Sequence, residues 1–194
     1  MPSTNDTTAE RKLLDAAKQI VLEEGYEAVT VRKVAERAGY TFPLLYHYYR
    51  DLDDLLWALR LDMIDDMVAR LAGGRKENRP SMDGLQKAFL DYMEYFFQFP
   101  NVYRFFYFHD FRRPEDETGY QAMEQRLLAL RSGYLEMLEK KYPGQEELMV
   151  RSIIYAIHGM LTLALSANGN FNQQAAVKEL SGLMAFFFEG NTEP

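Results

Sequence analysis

At residues 30–50 the chain reads TVRKVAERAGYTFPLLYHYYR, two short helical patterns that meet at Gly39. Thr30 is a favourable N-cap for the first pattern, whose apolar stripe includes Val34. Gly39 tolerates the left-handed conformation that ends a helix, and Thr41 is placed to cap the second pattern. The stretch therefore predicts two short helices joined by a tight turn, which is the geometry of a helix-turn-helix.

Helical periodicity continues over the rest of the chain, and no segment alternates as a strand does. We therefore expect an all-α fold of about nine helices, with an N-terminal three-helix helix-turn-helix domain and a larger helical domain after it. The fourth helix is expected to begin at Asp51, whose carboxylate is a predicted N-cap. The other helices are expected at about residues 8–24, 30–38, 41–50, 81–99, 101–112, 116–141, 145–168 and 172–189.

Composition bounds the class of protein. The 194 residues include no cysteine, which excludes disulfides and thiolate metal sites. The N-terminus lacks the apolar run of a signal peptide, and the apolar run at 153–167 is too short to span a bilayer, so we expect a cytoplasmic protein without a membrane partner. The net charge is −7, yet residues 9–50 carry seven Lys and Arg against six Asp and Glu, a local net charge of +1.

A longer pattern surrounds the opening stretch. It consists of Gly25-Tyr26, Thr30-Val31, Ala35, Ala38-Gly39, Thr41, Leu45-Tyr46, Tyr48-Tyr49 and Leu55. At this spacing, over about residues 9–56, the chain resembles the TetR family of bacterial transcriptional regulators. The resemblance implies a repressor-like homodimer, with a DNA-binding domain at residues 1–52 and a ligand-binding and dimerisation domain at residues 53–194. Lys33 stands at a position that is often acidic in the family, and Leu52 stands where a Lys usually contacts phosphate.

The second short helix has one inward face and one outward face. Leu45 and Tyr49 are spaced i, i+4 toward the core, so the opposite face is free to enter the major groove of a double-stranded DNA operator. Hydroxyl groups at helix N-termini and nearby cations suit phosphate oxygens. The candidate DNA-binding residues are therefore Arg11, Thr30, Arg32, Lys33, Thr41, Phe42, Pro43, Tyr46, His47 and Arg50.

Aromatic residues are dense in EYFFQFPNVYRFFYFHDF, at residues 94–111. These rings either fill a core of their own or line an apolar cavity among predicted helices 4 to 8. The cavity interpretation predicts a small apolar effector with a flat or aromatic part. Its candidate lining residues are Trp57, Leu61, Phe89, Met93, Phe96, Tyr103, Phe106, Met123, Leu127, Tyr155 and His158.

A dimer interface is expected on predicted helices 8 and 9. On helix 8 the stripe of Tyr155, Gly159, Thr162 and Ser166 is mostly small and permits close helix approach, while Ile154, Ile157, Leu161 and Leu165 serve the subunit core. On helix 9 the expected interface residues are Leu180, Met184, Phe187 and Phe188. Two such helices from each subunit form a four-helix interface. The alternative is that helix 8 is a core helix that touches no partner.

Convergent catalytic chemistry is sparse in this sequence. It contains no H-E-x-x-H motif, no Gly-rich phosphate loop and no G-x-S-x-G motif. We therefore expect no enzyme activity, no metal site and no cofactor. The alternative to a ligand-responsive regulator is a helical small-molecule-binding or protein-interaction module that no longer uses its helix-turn-helix.

Overall fold

The computed structural model describes residues 4–73, 80–111, 117–166 and 171–188. Within these ranges the chain forms nine α-helices and one short 3-10 turn at Tyr26–Ala28, and it forms no strand. The helices are α1 (Thr4–Glu24), α2 (Val31–Ala38), α3 (Phe42–Tyr48), α4 (Leu52–Gly73), α5 (Met82–Gln98), α6 (Pro100–Phe108), α7 (Glu117–Lys141), α8 (Glu146–Leu165) and α9 (Gln173–Phe188). The predicted all-α fold of about nine helices is confirmed.

The chain divides into two compact units. The first comprises Met1–Met67 and Phe99–Gln125, and the second comprises Val68–Gln98 and Arg126–Pro194. Helices α4 and α7 each continue from one unit into the other. The functional boundary that the sequence suggests between residues 52 and 53 is a different division, and it stays a prediction.

The first unit is organised around α1. Leu13, Ala17 and Ile20 are fully buried and follow the i, i+4, i+7 spacing of one helix face. This face explains why α1 packs against α2, α3 and α6. Burying one Leu or Ile side chain stabilises a fold by about 1.5–3 kcal/mol, so these α1 residues stabilise the packing of the two helices of the helix-turn-helix against α1.

Local hydrogen bonds set the ends of α2. The Thr30 hydroxyl accepts a hydrogen bond from the backbone N–H of Lys33 at 3.2 Å, which confirms the predicted N-cap. Gly39 has a φ of 76°, and the following residue, Tyr40, donates its backbone N–H to the carbonyl of Ala35 at 2.8 Å. Only a left-handed residue closes this bond pattern without strain, which is why glycine stands at the turn.

The caps of α3 and α4 differ in chemistry. Thr41 occupies the N-cap position of α3, but its side chain makes no capping hydrogen bond, so its exposed hydroxyl can hydrogen-bond to another group. Asp51 caps α4 as predicted, because its carboxylate accepts the backbone N–H of Asp54 at 2.9 Å. The Asp54 carboxylate in turn accepts the backbone N–H of Arg50 at 3.0 Å. These bonds fix the short connection between α3 and α4.

In the second unit, α5, α8 and α9 pack on one another. Leu180, Met184 and Phe188 are buried in this unit at positions four residues apart on α9. The prediction that these three residues face a partner is therefore wrong, since the i, i+4 spacing directs them into the subunit core. The exposed large apolar residues of α9 are instead Val177 and Phe186.

Candidate nucleic-acid interface

The outward face of α3 is open to solvent. Phe42 and Tyr46 are 57% and 53% exposed, whereas Leu45 is fully buried. Tyr49, which ends the helix, is also buried, and burial raises the pKa of its hydroxyl group. The other predicted contact residues of this segment, Thr41, Pro43, His47 and Arg50, are exposed as well. The two buried side chains therefore hold α3 against the unit while its opposite side stays accessible.

The cations near α2 differ in their surroundings. Arg32 is exposed, and it makes no ion pair among the residues that the structure describes. The Lys33 ammonium group instead pairs with the carboxylate of Glu24 at the end of α1. Arg37 contacts both Glu23, at 2.6 Å, and Glu24, at 3.1 Å. The hydrogen bond from Lys33 lowers the pKa of Glu24. Among the described residues, Arg32 is therefore the α2 cation without an ion pair.

Arg11 belongs to a charge network between α1 and α4. Its guanidinium group contacts Asp15 at 2.7 Å and also Asp62 of α4. Lys18 contacts Asp62 at 3.0 Å and pairs with Asp66. Burial acts to raise the pKa of Asp62, but the hydrogen bonds from Lys18 and Arg11 lower it overall. The network joins the middle of α4 to α1.

An aromatic cluster supports the 3-10 turn that leads into α2. The ring of Tyr26 lies 5.1 Å from His109, whose ring centroid is 4.5 Å from that of Phe111. The guanidinium carbon of Arg60 lies 4.3 Å from the Phe111 ring centroid, at cation–π distance, and Arg60 donates a hydrogen bond to the Phe106 carbonyl at 3.3 Å. The sequence did not reveal this cluster, because its members come from three separate segments, at residues 26, 60 and 106–111.

We expect the stability of the protein to decrease as the pH falls below about 6.5, the ordinary pKa of histidine. Burial lowers the pKa of His109, although Asp53, Asp110 and Glu27 act to raise it and Arg60 to lower it. The unfolded chain therefore binds more protons than the folded chain in this range, which favours unfolding. Urea unfolding from pH 7 to pH 5 measures the effect. His109→Gln should flatten part of the dependence and His158→Gln a further part, because burial lowers the pKa of His158 as well. A dependence that neither change alters contradicts this expectation.

The candidate effector-binding residues are divided between the two units. Trp57 and Leu61 of the first unit are half-buried, and Tyr103 and Phe106 are buried. In the second unit Phe89, Met93 and Phe96 are buried, and half-buried His158 lies 3.2 Å from the Tyr92 hydroxyl. Tyr155 is 69% exposed and so stands apart from these buried residues. The side chains of Met123 and Leu127 lie outside the described part of the structure.

The predicted stripe on α8 is exposed in the single chain. Tyr155, Gly159, Thr162 and Ser166 are all exposed, while Ile157 and Leu161 are fully buried on the opposite side. Leu163 adds a 58% exposed apolar side chain. Among the described residues, α8 is the one helix long and apolar enough to cross a bilayer by length and composition, a weak signal that core helices of soluble proteins also give.

Comparison with known proteins finds a family match for the N-terminal part of the chain. Residues 13–59, which include the helix-turn-helix, match the profile of the bacterial regulatory proteins of the tetR family. The chain is 28% identical over 87 residues to the HTH-type transcriptional activator FasR of Mycolicibacterium smegmatis, covering 43% of this chain and 40% of that protein. It is 34% identical over 59 residues to the HTH-type transcriptional repressor Rv1474c of Mycobacterium tuberculosis, covering 30% of this chain and 32% of that protein. The chain thus spans less than half the length of these relatives.

Solved structures extend the likeness of fold to nearly the whole chain. A transcriptional regulator from Rhodococcus sp. Rha1 has a TM-score of 0.71 at 18% identity, covering 95% of this chain and 99% of that one. FadR from Bacillus subtilis, solved in complex with stearoyl-CoA, has a TM-score of 0.68 at 18% identity, covering 93% of this chain and 98% of that one. The predicted helix-turn-helix followed by a larger helical domain is thereby confirmed as the fold.

Proposed function

We propose that the protein is a cytoplasmic, ligand-responsive transcriptional regulator that binds a palindromic DNA operator as a homodimer and represses transcription. The observation that carries this proposal is the outward face of α3, where Phe42 and Tyr46 are exposed while Leu45 anchors the helix. A helix held in this way fits the major groove, and the two-fold symmetry of a dimer demands two related half-sites about one helical turn apart or somewhat more.

Selection of bound sequences from random duplex DNA tests the proposal. The expected result is an enriched motif with two inverted half-sites, bound by two copies of the chain. An asymmetric motif bound by a single copy contradicts the dimeric mode of binding. The absence of enrichment, together with no retention on heparin at low salt, favours the alternative of an interaction module that no longer uses its helix-turn-helix. A reporter gene placed behind the selected operator then distinguishes repression from activation.

Arg32→Ala should weaken binding on all DNA sequences and reduce the slope of log affinity against log salt by about one unit. The reason is that Arg32 is exposed and makes no ion pair within the described ranges, so its charge is ready to neutralise one phosphate. Lys33→Ala should have the smaller effect, because Lys33 must leave Glu24 before it contacts a phosphate. Fluorescence anisotropy at four salt concentrations measures both slopes. A larger effect at Lys33 than at Arg32 contradicts this order.

The proposed effector is a small, largely apolar molecule that binds the second of the two predicted domains and weakens operator binding. The dense aromatic residues support this proposal, and FadR from Bacillus subtilis, a protein of similar fold, was solved in complex with stearoyl-CoA. Trp57 is the only tryptophan and lies 6.0 Å from the Phe111 ring, so its fluorescence is a direct probe. Stearoyl-CoA and flat aromatic compounds should be titrated into the protein while Trp57 fluorescence is recorded. Operator affinity should then be measured in the presence of each compound that binds. A hit that leaves operator affinity unchanged contradicts the proposed switch.

The proposed homodimer uses α8 and α9. Its support is that Tyr155 and Leu163 of α8 and Phe186 of α9 are each more than half exposed, and that small Gly159 is exposed on α8 as well. When a partner covers apolar side chains that are more than half exposed in one chain, their burial stabilises the dimer. Small residues between them allow helices to approach closely.

A further inference from the structure

The residues of α3 and its N-cap lack the side chains that read most base edges. From Thr41 to Tyr48 the sequence is TFPLLYHY, without Arg, Lys, Asn, Gln, Asp or Glu. Arg and Lys read guanine, Asn and Gln read adenine, and Asp and Glu accept from cytosine in the major groove. A recognition helix with none of them has few hydrogen-bonding routes to these three bases.

The exposed surface of α3 is instead apolar. Phe42 and Tyr46 are 57% and 53% exposed, and Pro43 is exposed beside them. The base feature that an apolar side chain contacts in the major groove is the C5-methyl group of thymine. Phe42 and Tyr46 are four residues apart, so their side chains lie on the same face of the helix.

We propose that this face selects thymine, with Phe42 and Tyr46 packed against thymine methyl groups in each operator half-site. This inference rests on the proposed function and adds the base class that the recognition helix prefers. His47 is exposed on the same helix, and its imidazole can exchange a hydrogen bond with a neighbouring base. Arg50 follows the helix and lies 3.5 Å from Asp54, a position suited to the DNA backbone rather than to a base edge.

Replacement of thymidine by deoxyuridine is the test, because uracil lacks the methyl group and keeps every hydrogen-bonding group of thymine. The probe is the duplex selected from the random library, resynthesised with deoxyuridine at one half-site position at a time. Loss of one contacted methyl group should weaken binding about fourfold, and loss of the same methyl in both half-sites about fifteenfold. Positions outside the half-sites should show no change.

Two protein variants connect the effect to α3. Phe42→Ala should bind the thymidine and deoxyuridine duplexes with nearly equal affinity at the position that Phe42 contacts. Phe108→Ala removes a phenyl ring of similar exposure, 55%, from the end of α6 and should keep the full thymidine preference. Melting curves of both variants confirm that the fold is retained, since both rings are exposed.

The outcomes separate this inference from the proposed function. An enriched operator whose half-sites contain only G·C pairs overturns the inference and leaves the proposed function standing. Equal affinity for the thymidine and deoxyuridine duplexes also overturns the inference alone. So does a preference for thymidine that neither Phe42→Ala nor Tyr46→Ala reduces. Failure to enrich any duplex overturns both.

Discussion

Replacement of Gly159 by arginine is expected to convert the proposed homodimer into monomers, weakening the dimer by about a hundredfold or more. Gly159 is exposed in the middle of the α8 stripe, and a Cβ added there meets nothing within 4 Å in the single chain. The substitution therefore fits the subunit, and it favours the helix by about 0.5–1 kcal/mol because glycine is a poor helix former. In a dimer, however, it places two like charges in an apolar interface without partners.

Light scattering over a range of protein concentrations, with helicity checked by circular dichroism, measures this effect. Gly73→Arg is the matched control, since Gly73 ends α4 and an added Cβ there also meets nothing within 4 Å. Operator affinity should fall together with the dimer. If Gly159→Arg stays dimeric, the interface lies elsewhere and α8 is the core helix that the sequence left as the alternative.

Phe105→Ala is expected to reduce the free energy of unfolding by about 3–5 kcal/mol, a large part of the stability of a small domain. The ring is fully buried and lies 5.1 Å from Phe111, 6.2 Å from Tyr26 and 6.1 Å from Phe106. Its removal leaves a cavity under the 3-10 turn that leads into α2. DNA binding should therefore be lost at a lower urea concentration than in the unmodified protein.

Urea unfolding followed by Trp57 fluorescence measures this change, because Trp57 belongs to the same unit. Phe108→Ala is the control, and its effect should stay within about 0.5 kcal/mol because the Phe108 ring is 55% exposed. Equal losses for the two variants contradict the packing of the aromatic cluster as described.

The parts of the fold that the sequence predicted are those fixed by local bonds. Thr30 and Asp51 cap helices through hydrogen bonds that span three residues, and Gly39 ends α2 through its own backbone angle. All of this information lies within one helical turn. The buried face of α9 could not be predicted in this way, because its C-terminal segment, LMAFFF, is apolar on every side and is compatible with more than one buried face. Packing against α5 and α8 decided which residues are buried.

The candidate interface divides in the same way. The exposure of Phe42 and Tyr46 follows from inward Leu45, so it was predictable from the spacing within α3. The pairing of Lys33 with Glu24 was not, since these residues lie nine positions apart on either side of a turn. Their contact depends on the angle between α1 and α2, and no local sequence pattern predicts that angle.

The charge network of Arg11, Lys18, Asp62 and Asp66 bears on which spacer length between operator half-sites the proposed dimer prefers. Lys18 and Asp62 have side chains only 18% and 15% exposed, so salt screens this pair less than a surface pair. Residues 49–51 alone separate α3 from α4, and ion pairs join α4 to α1, so a shift of α4 within this unit is expected to be passed on to α3. In the proposed homodimer, an effector that shifts α4 should change the distance between the two recognition helices while leaving each one folded. Inserting or deleting one base pair in the operator spacer should then restore part of the affinity that the effector removes.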